Sequence, residues 1–360
     1  MTRFALLISS LALVCACSKK QDDSAAKNKT PAKAPTAAQA KDPAKAAKPP
    51  TAKTPDVVMT PLQVWDARAK AAKDNDGAAL KRLYADDAVA IPVGSPMKMQ
   101  GPEQIAATFT MFAKGFPDMK ADSYVVLDKG PVVAGFSRIR GTNEGAMMGM
   151  PATGKPTSYI GLQILDIDPA TGKIKRETLY ADNLDFMAQM GLWDGPHRPY
   201  DTSEAPEERR ASSTGSETET KNLEVVDAAI AAYNQRDATA LSALYAADAV
   251  LANQAEPADY RGADIEGSYK RVFAAFPDIE KSEHKAWAAG DFVVSQYHMK
   301  ATHKGPHERF SMKEGTGKPI ELDGADVYRI ADGKIVEHWV FFDAMFIAIT
   351  VGAMKMPGMG

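Results

Sequence analysis

The chain has 360 residues, enough for about two domains once non-globular stretches are set aside. Its hydrophobic content of 45% and charged content of 25% are those of an ordinary globular protein. A formal net charge of -3, with no basic stripe interleaved with aromatic residues, argues against nucleic acid as a partner.

Arg3 precedes an apolar run, Phe4 to Val14, that is too short to span a bilayer and has the pattern of a secretory signal. The run closes on Val14-Cys15-Ala16-Cys17, which resembles a bacterial lipobox with Ala16 as the small residue before a lipidated Cys17. Cys15, preceded by Val14, fits that pattern less well, and a plain signal peptide is the alternative. Ser18, where an aspartate would retain the protein at the inner membrane, resembles the signal for the outer membrane facing the periplasm. Residues 1–16 are thus expected to be a signal peptide, with the membrane reached through a lipid anchor at Cys17. Cys15 and Cys17 are the only cysteines, so the mature protein would have neither disulfide nor free thiol and must rely on its core. Residues 17–57 are rich in Lys, Ala, Pro and Thr and cannot bury enough surface to fold. They read as a tether reaching about 35 Å if flexible.

Two long segments follow, 58–193 and 221–360, separated by a polar Pro/Ser/Thr/Glu linker at 194–220. They repeat one another. Leu62, Trp65, Ala69 and Ala72 fall at helical spacing, and so do Leu223, Val226, Ile230 and Tyr233, 161 residues on (223 minus 62). Asp76 and Asp237 are good N-caps for short second helices ending at Tyr84 and Tyr245. Third helices follow Gly101 and Gly262 and stop at Phe116-Pro117-Asp118 and Phe276-Pro277-Asp278, because proline disfavours helix at the residue before it. Asp118 and Asp278 are expected to fix that turn by accepting from local backbone amides.

Beyond Phe-Pro-Asp the hydrophobic period changes from helical to alternating. SYVVLDKG, PVVAGFSRIR, SYIGLQILDID and KIKRETLYAD predict four strands in the first copy. HKAWAAGD, FVVSQYHMKA, IELDGADVYRI and KIVEHWVFFD predict four in the second. Helices first and a mostly antiparallel meander second mean an α+β fold, with helices on one face of a curved sheet, built twice.

In the first copy the paired motifs are Phe116-Pro117-Asp118, Gly141-Thr142-Asn143-Glu144-Gly145, Met150-Pro151-Ala152-Thr153-Gly154-Lys155, Tyr180-Ala181-Asp182 and Gln189-Met190-Gly191. They are similar to those of the SnoaL-like polyketide cyclase or ester cyclase group of the nuclear transport factor 2-like superfamily. The second copy keeps Phe276-Pro277-Asp278, Thr302-His303-Lys304-Gly305, Thr316-Gly317-Lys318 and Glu337 to Asp343. It departs in a loop, Pro306 to Glu314, that is three residues longer, and it lacks the glutamine of the last helix. The resemblance implies two tandem cones, each enclosing an apolar cavity, and a pseudo-dimer of the copies or a homo-oligomer.

It also implies an acid/base role for the aspartate at Asp182 and Asp343, one that takes a proton next to a carbonyl ahead of an aldol closure. A carboxylate in an apolar pocket loses hydration and becomes a stronger base. If Asp182 faces inward, alternation brings Tyr180, Thr178 and Arg176 with it; if Asp343 does, Phe341, Trp339 and Glu337 follow. Gln163 and Asp326 hold corresponding pocket positions on the neighbouring strand. Tyr180 or Arg176 would stabilise an enolate, which favours the first copy, whereas His338 faces inward only if a bulge breaks the alternation. The competing expectation is that Asp182 and Asp343 cap the short helices that follow them.

His303 and His307 have the spacing of a helical metal pair, but Gly305-Pro306 between them predicts a surface loop, and no further ligand completes a zinc site. No phosphate-binding glycine motif occurs, and the chemistry implied needs no cofactor. Met147, Met148 and Met150 are either a lid over the first cavity or core filling. Two readings stand: an acid/base enzyme acting on a small carbonyl compound, and a module that binds an apolar small molecule or pairs domains without chemistry.

Overall fold

The computed structural model describes residues 58–354 apart from Pro96 and Met148, so the signal, the tether and Cys17 lie outside the described residues. Helix α1 (Pro61–Lys73) starts at a capping box in which Thr60 and Gln63 bond each other's backbone. Helix α2 (Gly77–Leu83) is capped by Asp76, whose Oδ1 accepts from Ala79 N at 2.8 Å. The chain then departs from expectation. Tyr84 caps the end of the helix as expected, but it also opens strand β1 (Tyr84–Pro92), followed by the short β2 (Met99–Gln100). Asp86 and Asp87 give this segment poor strand propensity, and it becomes a strand because it pairs in parallel with a strand more than eighty positions downstream.

Helix α3 (Gly101–Gly115) ends at Phe116, and β3 (Lys120–Lys129), β4 (Val132–Thr142), β5 (Pro156–Asp168) and β6 (Lys173–Tyr180) form the expected meander before α4 (Asn183–Gln189). The linker contributes β7 (Arg209–Ser212), which adds to the edge of the first sheet in parallel with β3. The order is β2-β1-β6-β5-β4-β3-β7. The second copy repeats the plan: α5 (Glu217–Gln235), α6 (Ala238–Ser242), β8 (Tyr245–Asn253), β9 (Tyr260–Arg261), α7 (Asp264–Ala275), β10 (Glu280–Ala289), β11 (Phe292–Thr302), β12 (Pro319–Ala331), β13 (Lys334–Phe341) and α8 (Ala344–Val351). Its order is β10-β11-β12-β13-β8-β9. The architecture is α+β, in two sheets with their helices.

The Phe-Pro-Asp joint works differently from a local turn. Asp118 Oδ1 accepts from Thr142 N at 2.6 Å, and Asp278 Oδ1 from Thr302 N at 2.7 Å. Each aspartate therefore ties the start of the meander to the far end of its second strand. Met147 packs against Gly115 and joins Phe116, Met187 and Met190 in a small apolar cluster, which is core filling; Met148 lies outside the described residues.

Each sheet uses both faces. The inner face meets the helices, while the outer faces of the two sheets pack on one another. Leu162, Ile164 and Phe136 of the first copy share that core with Ala325, Val327 and Phe341 of the second. The Phe136 ring lies 4.9 Å from Trp339 and 5.6 Å from Phe341, centroid to centroid. Burying both sheets this way supplies apolar contact that neither copy could provide alone.

Candidate functional site

Strand alternation decides which residues reach a cavity, and here it runs opposite to the expectation. Tyr180 is buried in the core between the sheets, with its hydroxyl accepting from Gln296 Nε2 at 2.9 Å. Thr178 pairs with Ile164 on that same outer face, and Arg176 is exposed opposite Asp166. In the second copy, Trp339 packs on Phe136, while Glu337 is ion-paired with Arg209 at 2.7 Å and with Arg329. None of these five lines the interior of a cone. The count back from Asp182 or Asp343 fails because the strands stop at Tyr180 and Phe341, and the aspartates lie beyond them, where the chain turns into a helix.

Asp182 accepts from Leu184 N and Asp185 N as an N-cap, and Asp343 accepts from Met345 N at 3.0 Å. Each also reaches the other copy's cap. Ala344 N donates to Asp182 Oδ1 at 3.0 Å, while Asn183 donates to Asp343 through its backbone at 3.2 Å and its side chain at 2.7 Å. The two aspartates thus form a reciprocal, pseudo-symmetric clasp between the copies. Burial, with the Asp182 charge added, pushes the Asp343 carboxyl up to about 7.

The longer loop of the second copy completes the clasp. Its short 3₁₀ turn, Glu308–Phe310, places Arg309 Nη2 at 2.8 Å from Asp182 and 2.7 Å from Asp185. This loop is no surface excursion. His303 is fully buried, and His307 stacks on Phe310 with ring centroids 4.1 Å apart; burial lowers its pKa to about 4. Asp182 and Asp185 border a cleft of about 400 Å³ with Arg138 and the linker residues Arg198 to Ser203.

Gln163 and Asp326 do face inward, each into its own cone. In the first, Gln163 accepts from Arg68 at 2.9 Å, and Arg68 is ion-paired with the buried Glu177, which also accepts from Tyr84. In the second, Asp326 is fully buried and satisfied by three donors: Lys281 Nζ at 2.6 Å, Tyr328 OH at 2.9 Å and Tyr297 OH at 3.0 Å. A bulge between Ile335 and Glu337 lets both Ile335 and His338 face inside. His338 Nδ1 lies 2.6 Å from Tyr245 OH, which lies 2.7 Å from Tyr269 OH. Its Nε2 stands 3.6 Å from Asp326 Oδ2, too far for a hydrogen bond, and has no other partner among the described residues.

Above this cluster is a cavity of about 440 Å³. Lys281 and His338 form part of its wall with Tyr233, Tyr269, Met299 and Phe276, and Arg309 closes it at the clasp. Arg309 Nε and Nη1 have no hydrogen-bond partner among the described residues. Burial alone would raise the Asp326 pKa, yet the Lys281 ammonium beside it holds it well below the usual carboxylate range. Burial lowers both Lys281 and His338, so the imidazole is neutral near pH 7. The Asp326 charge favours its tautomer with the proton on Nε2. The site therefore holds a fixed carboxylate, an ammonium of reduced basicity and a spare N–H donor.

A duplicated α+β sheet-and-helix unit, with an apolar cavity and a few convergent polar groups in its second copy, has a cyclase- and isomerase-like fold. The chain belongs to the SnoaL-like polyketide cyclase family, which matches residues 63–190 and again 223–348. No curated protein matches it. Among solved structures it is similar to IdmH from Streptomyces antibioticus, at 26% identity over 37% of this chain and 99% of that one, with a TM-score of 0.33. A protein of ketosteroid isomerase-like fold from Catenulispora acidiphila, in complex with trimethylamine, is 24% identical over 37% of this chain and 98% of that one, TM-score 0.32. TsrD from Streptomyces laurentii is 19% identical over 37% and 95%, TM-score 0.33.

Asp326 was expected from sequence at a pocket position, whereas Lys281 and Arg309 were not. Lys281 follows Phe-Pro-Asp in a strand written as polar surface, and no local signal marks it. Arg309 was within reach, since it lies in the loop that is three residues longer in the second copy.

Proposed function

We propose that the second domain is a cofactor-independent acid/base catalyst acting on a small carbonyl compound, with the first domain as its packing partner. The observation that supports this reading is that Lys281 and His338 stand in the wall of the 440 Å³ cavity with the buried Asp326 directly behind them, 2.6 Å from Lys281 Nζ and 3.6 Å from His338 Nε2. Asp326 takes a proton from the carbon next to the carbonyl, and the Lys281 ammonium and the His338 Nε2–H stabilise the enolate oxygen. Asp326 is a weak base while ion-paired, and the same ammonium that weakens it lowers the energy of the enolate. Positional correspondence counts against an equivalent site in the first cone, where Gln163 and Glu177 stand in place of Asp326 and His338.

The test needs no natural substrate. The purified chain is incubated in deuterium oxide with acetophenone and cyclohexanone, and α-proton exchange is followed by NMR. Exchange above buffer that is lost in Asp326→Asn and reduced in His338→Gln, with both variants folded by circular dichroism, supports the reading. Retention of either ketone without exchange points instead to a binding module, in line with the full satisfaction of Asp326 by its neighbours.

We further propose that the chain is carried to the bacterial envelope and held by lipid on Cys17, in the outer membrane facing the periplasm. The support is the short apolar run ending in Ala16-Cys17 and the long polar tether behind it. Metabolic labelling with a palmitate analogue should mark the chain and fail in Cys17→Ala.

A further inference from the structure

We propose that Lys281 is an amine nucleophile, condensing with the carbonyl carbon of an aldehyde or ketone in the second cavity to give an iminium. This rests on the cavity being a site of carbonyl chemistry.

The contrast between the two copies carries the inference. Both cones hold a cation against a carboxylate with tyrosine beside it, Tyr84 in the first and Tyr297 and Tyr328 in the second. In the first, the cation is the Arg68 guanidinium, presented from a helix, and arginine does not deprotonate in proteins. In the second, the corresponding helix position is Ala229 (68 plus 161), and the cation is a primary amine presented from β10. The position in the first copy that matches Lys281 is Ala121 (281 minus 160). A fixed ion pair has thus been exchanged for a group that can lose its proton. That group lines a cavity large enough for a carbonyl compound.

The surroundings suit the step. Lys281 is 6% exposed, with its Nζ 3.8 Å from the Tyr297 ring centroid and 4.7 Å from that of Tyr233. Burial, opposed by Asp326, shifts the ammonium toward the free amine, as in other Schiff-base lysines. Asp326 Oδ2, at 2.6 Å, is placed to receive the proton that must leave first.

The step balances without a co-reactant. Lys281 gives one proton to Asp326, and the free amine attacks the carbonyl carbon. A second nitrogen proton passes to the carbonyl oxygen to give the carbinolamine. Asp326 then returns its proton to the departing hydroxyl, which leaves as water. Ammonium plus carbonyl thus gives iminium plus water, with charge conserved. Asp326 is again a carboxylate beside an α-carbon whose proton the iminium has acidified, and His338 Nε2–H faces the same space.

The experiment is reductive trapping. The purified full-length chain is mixed with benzaldehyde and cyanoborohydride at neutral pH, and labelling of each lysine is followed in time by peptide mass spectrometry. Burial alone makes Lys281 among the slowest to react, whereas the imine role makes it the fastest. A single unit of lowered pKa raises the free amine about tenfold, and an advantage of that size over exposed lysines is expected. Lys281 trailing the surface lysines overturns the proposal. Asp326-dependent α-proton exchange with Lys281 unlabelled overturns it too, while leaving the acid/base reading in place. Neither exchange nor labelling removes both. Lys281→Met, if folded, should lose the fast label alone; if it does not fold, the time course on the unaltered chain still decides.

Discussion

Asp182→Ala separates the clasp from the catalytic role that the family resemblance implies. The side chain accepts from Leu184 N, Asp185 N, Ala344 N and Arg309 Nη2 in a site 3% exposed. Loss of the cap costs about 1 kcal/mol. Loss of the charge-assisted bond to Arg309 would cost about 1.5–3 kcal/mol by itself. Two effects temper that second figure: Arg309 keeps Asp185 at 2.7 Å, and the like-charge repulsion between Asp182 and Asp185 disappears. A net loss of about 2–4 kcal/mol follows, a large share of the stability of an ordinary domain. The assay is urea denaturation of the intact chain at pH 7 by tryptophan fluorescence, with α-proton exchange measured on the same preparation. The expected result is a lower midpoint with exchange retained, because Asp182 does not line the cavity of the second cone. A stability change within about 0.5 kcal/mol together with lost exchange would refute this reasoning and return Asp182 to the chemistry.

Asp343 makes stability depend on pH. Its folded pKa of about 7 lies above the ordinary 3.8, so the folded chain holds a proton that the unfolded chain has released. The contribution is fully present below about pH 4 and is lost as pH rises through 7, with an upper bound of about 4 kcal/mol. Asp343→Asn, which can still cap, should flatten the decline between about pH 4 and 7, as read from urea midpoints across that range. Met299→Trp directs a larger ring into the second cavity, where Met299 forms part of the wall. It should abolish α-proton exchange at a cost of about 1–3 kcal/mol in the same urea assay. Unimpaired exchange would place the reaction elsewhere.

Periodicity, N-caps and the twice-written Phe-Pro-Asp made the duplicated α+β fold legible, because these act over a few residues along the chain. Asp76 caps its helix and Pro117 stops another with only local partners, so their sequence meaning survives folding. Strands β1 and β8 were not legible, since YADDAVAIP and YAADAVLAN become strands only by pairing with β6 and β13. The site divides in the same way. Gln163 and Asp326, paired by correspondence between the copies, both face inward, but neither is among the residues that line the two cavities described. Which neighbours joined them depended on where a strand stopped and where a bulge fell, and a shift of one residue exchanges the faces of a strand. Tyr180 and Trp339 went to the core between the sheets, and His338 to the cavity. Lys281 meets Asp326 across 45 residues and Arg309 meets Asp182 across 127. Sequence by itself determined two copies of one fold, because hydrogen-bond caps and hydrophobic period are local. Tertiary structure alone decided which copy keeps a cavity beside an amine and a carboxylate, because burial and charge pairing are set by residues far apart in the chain.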